Sequence, residues 1–136
     1  MSLRVLIADR DKSLLELYRA YMSWHGFTVV TAASGLDCLS KLRACAPDLL
    51  VLEPDLLWGG GNGVVAAMRE DPDLADIPVI VLSNQDDYPA LFGAEDAPVR
   101  ERLIKPQSPP ALVRVIHQLT GKSAACATAD SSLWIG

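Results

Sequence analysis

Asp9, Arg10 and Asp11 stand together directly after an apolar run that ends in Leu6-Ile7-Ala8. Glu53 directly follows a second run, Leu49-Leu50-Val51-Leu52, and Ser83 follows a third that ends in Val81-Leu82. Lys105 follows Leu103-Ile104 and precedes a proline. Acids, a hydroxyl and two cations therefore recur at the ends of apolar segments. An Arg fork can bind a carboxylate through two hydrogen bonds, and a Lys ammonium can pair with one as a point charge. Whether these groups act together depends on the elements that carry them.

Leu49 to Leu52 lie between Pro47-Asp48 and the Glu53 carboxylate. A short apolar run bounded by breakers reads as a strand buried on both faces. Residues 3–8, 27–31 and 77–82 read as strands in the same way. Residues 101–104 form a shorter, mostly polar strand, expected at or near an edge. Between them, residues 12–25, 34–45, 62–70 and 109–120 read as helices. Asp11 can cap the first helix, Leu14, Leu17, Tyr18 and Tyr21 are its expected inward stripe, and Gly26 stops it. Leu36, Leu39 and Leu42 are spaced by three along the second. Asn62 is the expected cap of the third, after a glycine run expected to have little rigidity. Residues 84–94 read as a weak helical region broken by Pro89 and Gly93. Leu112, Val113, Ile116 and Leu119 form the inner stripe of the last helix.

This alternation predicts an α/β fold: a five-stranded parallel sheet, doubly wound, with helices on both faces and right-handed crossovers. In such a sheet ligands sit outside the carboxyl ends of the strands. Asp9, Glu53, Ser83 and Lys105 all fall at that rim.

The 136 residues suit one domain, expected over residues 1–121, with a tail at 122–136. Half the residues are hydrophobic and 21% are charged, an ordinary soluble balance. No apolar run reaches the length of a membrane span, and no basic segment precedes a long apolar one, so neither a membrane contact nor a secretion signal is expected. Cys38, Cys45 and Cys126 are odd in number and lack metal-ligand spacing, which reads as free thiols in a reducing cytoplasm. A net charge of −5 argues against direct nucleic-acid binding. The glycine run at 59–63 lacks the Lys-Ser/Thr ending of a phosphate loop. His25 and His117 read as ordinary helix residues. The tail reads as a frayed end, with docking of Leu133-Trp134-Ile135 as the rival.

The constellation Asp9-Arg10-Asp11, Glu53, Ser83 and Lys105-Pro106 resembles that of the receiver domains of bacterial two-component response regulators, over about residues 3–120. The resemblance implies a flavodoxin-like (βα)5 fold. In that family the first strand ends in two adjacent acids that help hold Mg²⁺, and the third ends in an Asp that accepts a phosphoryl group. The fourth ends in Ser or Thr and the fifth in Lys-Pro. Matched residue by residue, Glu53 stands at the phosphoacceptor position, Arg10 at the second acid, and Arg102 where a switch aromatic is common.

These departures have physical consequences. Glu carries its carboxylate one methylene further out, and transfer depends on position. Mg²⁺ takes oxygen ligands in tight octahedral geometry; an Arg removes one and adds a fixed positive charge. The expectation is therefore a pseudo-receiver in which Arg10 and Lys105 hold Glu53 in an ion-paired cluster. It would carry no metal or cofactor, catalyse no reaction, and signal by protein–protein contact. The resemblance places the partner face on residues 86–94, 101–104 and 109–119, with Tyr88, Phe92, Arg100, Arg102, Arg114 and His117 as exposed candidates. A monomer or weak homodimer is expected. Two alternatives stay open: a phosphorylatable, Mg²⁺-dependent regulator, with Asp55 as rival acceptor, and a flavodoxin-like small-molecule binder, for which Trp58 near the rim is the sole aromatic support.

Overall fold

The computed structural model describes residues 3–56, 60–84, 90–93 and 97–121. Tyr88, Trp58, Cys126 and the Leu133-Trp134-Ile135 segment lie outside the described residues. The chain divides into two units, Met1–Pro106 and Gln107–Gly136.

The first unit is built on five parallel strands: β1 (Arg4–Ala8), β2 (Thr28–Ala32), β3 (Leu49–Leu52), β4 (Val79–Ser83) and β5 (Val99–Ile104). Their order is β2-β1-β3-β4-β5. The two central neighbours, β3 and β4, are buried at every position. That is why their sequences are continuous apolar runs with no alternation. β5, exposed or half-exposed throughout, is an edge, and β2 is the other.

Helices α1 (Lys12–Trp24), α2 (Gly35–Cys45) and α3 (Gly60–Glu70) connect the strands, with a 3-10 turn at Ala90–Gly93. Side chains alternate faces along a strand. Leu6, Ala8, Leu50, Leu52, Val79 and Val81 turn to one side and form a core with Cys38 and Leu42 of α2 and Val64, Val65 and Met68 of α3. Val5, Ile7, Leu49, Val51, Ile80 and Leu82, equally buried, turn to the other side, where α1 contributes Leu15, Tyr18 and Met22. Fully burying a side chain of this size stabilises by about 1.5–3 kcal/mol.

Several local expectations are corrected. On α1 the buried residues are Leu15, Tyr18 and Met22, while Leu17 is 53% exposed. Two apolar stripes interleave on this helix and share Tyr18; the cap fixes which one faces inward. Asp11 accepts from the N–H groups of Ser13 and Leu14 and so sets the helix's rotation. On α2, Leu36 is 65% exposed and Gly35 and Cys38 are buried in its place. The cap of α2 is Ser34, which accepts from Asp37 N–H. Asn62 does not cap α3, because the helix already begins at Gly60. Gly60 takes a φ of +64°, and Gly61 brings its backbone against Pro54. The glycines are there for conformation and close approach, not for looseness. β4 begins at Val79, after Pro78, and includes Ser83.

The second unit contains α4 (Pro109–Thr120). Ser108 caps it and Gly121, at φ +68°, ends it. Leu112 and Ile116 are its fully buried residues; Val113 and Leu119 are only half-buried.

Candidate functional site

The carboxyl ends of β1, β3, β4 and β5 come together because the strands are parallel and in register. Asp9 N–H donates to Ala32 C=O and Glu53 N–H to Ala8 C=O, each at 3.0 Å. Lys105 N–H donates to Ser83 C=O at 2.7 Å. These ladder bonds continue the sheet one residue past the strands and aim the side chains into one place.

Lys105 occupies the centre. Its ammonium lies 2.6 Å from Glu53 Oε1 and 2.7 Å from Asp9 Oδ2. The other Asp9 oxygen, Oδ1, accepts from the Asp11 N–H at 2.9 Å. Asp9 and Glu53 are only 2% and 5% exposed, so the ammonium is the charge that makes their burial tolerable.

Arg10 stands at the rim, half-exposed. Its Nε is 3.6 Å from Glu53 Oε2, and its Nη2 is 3.1 Å from Asp55 Oδ2. The guanidinium thus divides between two acids and does not grip Glu53 as a two-bond fork. Asp55 is exposed in the loop after β3. Asp11 caps α1 and meets the cluster only through its backbone. Ser83 is fully buried, and its Oγ has no hydrogen-bond partner among the described residues; nor has Glu53 Oε2. Arg102 is exposed on β5.

The electrostatics follow from this geometry. Burial, reinforced by the Asp9 carboxyl, pushes Glu53 up to about 7 against the opposing pull of Lys105. Burial alone would lower the Lys105 ammonium, but Asp9 and Glu53 outweigh it and hold it above its ordinary value. Two buried carboxyls thus share one ammonium. Tyr18 of α1, raised by burial, also feels Lys105 and Asp9. It reads in the sequence only as part of an inward stripe; nothing in its spacing signals that it borders the cluster.

A receiver's Mg²⁺ would need free carboxylate oxygens here. Three of the four in the Asp9–Glu53 pair are committed to Lys105 or to the Asp11 N–H, and the fourth faces Arg10. Among the described residues no group of three or more His, Cys, Asp or Glu is placed to hold a metal ion. The donor set does not fit the ion.

Of the contact-face candidates, Phe92 is 2% exposed and packs in the core with α2 and α3, so it is not a surface residue. Arg100 and Arg114 are exposed and His117 is half-buried. Cys38 and Cys45 are free, and burial pushes the Cys38 thiol up to about 12. No helix among the described residues is long and apolar enough to cross a membrane.

The family model described as the response regulator receiver domain matches residues 5–117. The chain is 32% identical over 106 residues to the response regulator MprA of Mycobacterium ulcerans, a match covering 78% of this chain and 45% of that protein. The chain therefore spans about half the length of such relatives. Among solved structures, a candidate response regulator from Chloroflexus aurantiacus superposes with a TM-score of 0.78 at 25% identity, covering 90% of this chain and all of the other. The chemotaxis response regulator CheY4 of Vibrio cholerae gives 0.76 at 20% identity, covering 88% of this chain and 99% of the other, which speaks to fold alone.

Proposed function

The chain belongs to the response regulator receiver domain family, and from that premise we propose that it is a pseudo-receiver: a two-component signalling module that acts through protein contacts without phosphorylation of Glu53. One observation carries this reading. The Lys105 ammonium bridges Asp9 and Glu53 in a buried cluster, with Arg10 at its open side. Arg10, where the family carries a metal-holding acid, sets a fixed positive charge 3.6 Å from Glu53 Oε2. The acceptor oxygen nearest Lys105 is already hydrogen-bonded to it, and a Glu reaches past the point from which an Asp would attack in line. A developing phosphoryl charge would find no divalent clamp.

Output then depends on surfaces and not on a transferred group. β5 offers exposed Arg100, Glu101 and Arg102. With Arg102 in place of an aromatic, an aromatic switch has no residue to operate it. A protein partner with acidic groups suits these cations.

The test is incubation of the chain with acetyl phosphate and Mg²⁺, read by intact mass. The expected mass is unchanged. Gain of one phosphoryl group on Glu53 or Asp55, or stoichiometric Mg²⁺ binding in equilibrium dialysis, favours the phosphorylatable alternative and removes the proposal.

A further inference from the structure

The two edges of the sheet are protected very differently. β5 carries Arg100, Glu101 and Arg102, and its pairing with β4 slips between Val79 and Ile80, leaving Arg100 out of register. Charges and a bulge are the usual devices that keep an edge strand from pairing. β2, at the opposite edge, reads Thr-Val-Val-Thr-Ala. It has no charge, no proline and no register shift, and its β-branched residues favour the extended state.

The direction of its backbone groups follows from its partner. Thr28 N–H donates to Leu3 C=O and Ala32 C=O accepts from Asp9 N–H. Thr28, Val30 and Ala32 therefore turn their backbone to β1, and Val29 and Thr31 turn theirs outward. Val29, Val30 and Thr31 are half-exposed. Thr31 C=O accepts from Lys41 Nζ at 2.6 Å; a carbonyl has a second lone pair, and the two outward N–H groups are donors that Lys41 cannot serve.

We propose that the outer edge of β2 is an interface between two copies of this chain, paired antiparallel across a two-fold axis at Val30. Val29 of one copy then opposes Thr31 of the other, and each exchanges its outward N–H and C=O with its opposite. Val30 meets Val30 on the axis, side by side. A two-fold interface must be self-complementary, and the walls beside β2 are. α1 lines the groove with Lys12 and Glu16, and α2 lines it with Asp37 and Lys41. Each wall carries one cation and one acid a helical turn apart; Asp37 pairs with Lys41 at 3.1 Å and Glu16 with Arg19 within their own helices, so a second copy offers each acid an additional cation. An antiparallel copy brings the cation of each wall toward the acid of its equivalent, which fixes the register and favours a second copy over an unrelated strand.

The experiment is sedimentation of the full chain over a concentration series, with amide hydrogen exchange at low and high concentration. The expected result is a reversible dimer, weakened by salt, in which the Val29 and Thr31 amides gain protection on association. Val29→Pro removes an outward N–H without touching the β1 ladder and abolishes the dimer. Glu16→Lys weakens it about tenfold, and adding Lys12→Glu restores it. If Val29→Pro fails to fold, the exchange of the unaltered chain decides. A monomer up to about 1 mM overturns the proposal. So does a dimer whose Val29 and Thr31 amides exchange as in the monomer, or protection of those amides only when another protein is added.

Discussion

Lys105 and Glu53 are fifty-two positions apart and joined by a 2.6 Å charge-assisted hydrogen bond. That bond crosses from β5 to β3 over the end of β4. It makes the rim of the sheet a buried charge cluster, since the same ammonium also lies 2.7 Å from Asp9. The consequences can be measured.

Removing the ammonium leaves two buried carboxyls facing each other. Lys105→Met should cost about 3 kcal/mol at neutral pH, within the range for breaking a buried pair. Urea denaturation measures it. Glu53→Gln in the same background should recover part of the loss, because one of the two like groups is then neutral. A double-substitution cycle with no coupling would show that the pair contributes nothing.

The Glu53 carboxyl, pushed up to about 7 by burial and by Asp9 from an ordinary 4.5, gives stability a pH dependence of definite sign. In the window between those values the folded chain holds a proton that the unfolded chain has released. Stability from this group is therefore full below about pH 4.5 and is lost as pH rises through 7. The slope is at most about 1.4 kcal/mol per pH unit. Glu53→Gln should flatten that part of the curve; an identical slope in the variant would place the titration elsewhere.

Restoring the acids should restore the chemistry. Arg10→Asp combined with Glu53→Asp removes the rim cation and withdraws the acceptor by one methylene. The double variant should bind Mg²⁺ and gain one phosphoryl group from acetyl phosphate, while the parent gains none. Failure of a folded double variant to bind Mg²⁺ would show that Arg10 and the longer acid are not what excludes the ion.

Two glycines of α3 separate packing from conformation. A Cβ on Gly61 would lie 2.8 Å from Pro54 Cα and 3.2 Å from the Glu53 carbonyl oxygen. Gly61→Ala should cost about 2 kcal/mol and disturb the Glu53 backbone. A Cβ on Gly63 meets nothing within 4 Å, so Gly63→Ala should be neutral or stabilise by up to about 1 kcal/mol. Thermal denaturation of the two variants gives the contrast.

The strands, their parallel arrangement and the rim are legible in the order of residues. Apolar runs as pure as Leu49–Leu52 and Val79–Leu82 have no solvated face to offer, so they must be central, and helix-length segments between them leave only crossovers. Asp9, Glu53, Ser83 and Lys105 then had to share one edge, since each ends a strand and all strands point one way. How those groups pair is legible only in the folded chain. Strand ends a few ångströms apart allow several ion pairs of similar energy, and their distances depend on register and rotamer, which no spacing records. The structure gives Lys105 to both Asp9 and Glu53 and lets Arg10 reach out to Asp55. It also decided the rotation of α1 and α2. Leu17 and Leu36 are as apolar as the residues that were buried, and a helix with two stripes turns according to its cap and its neighbours, not its composition alone.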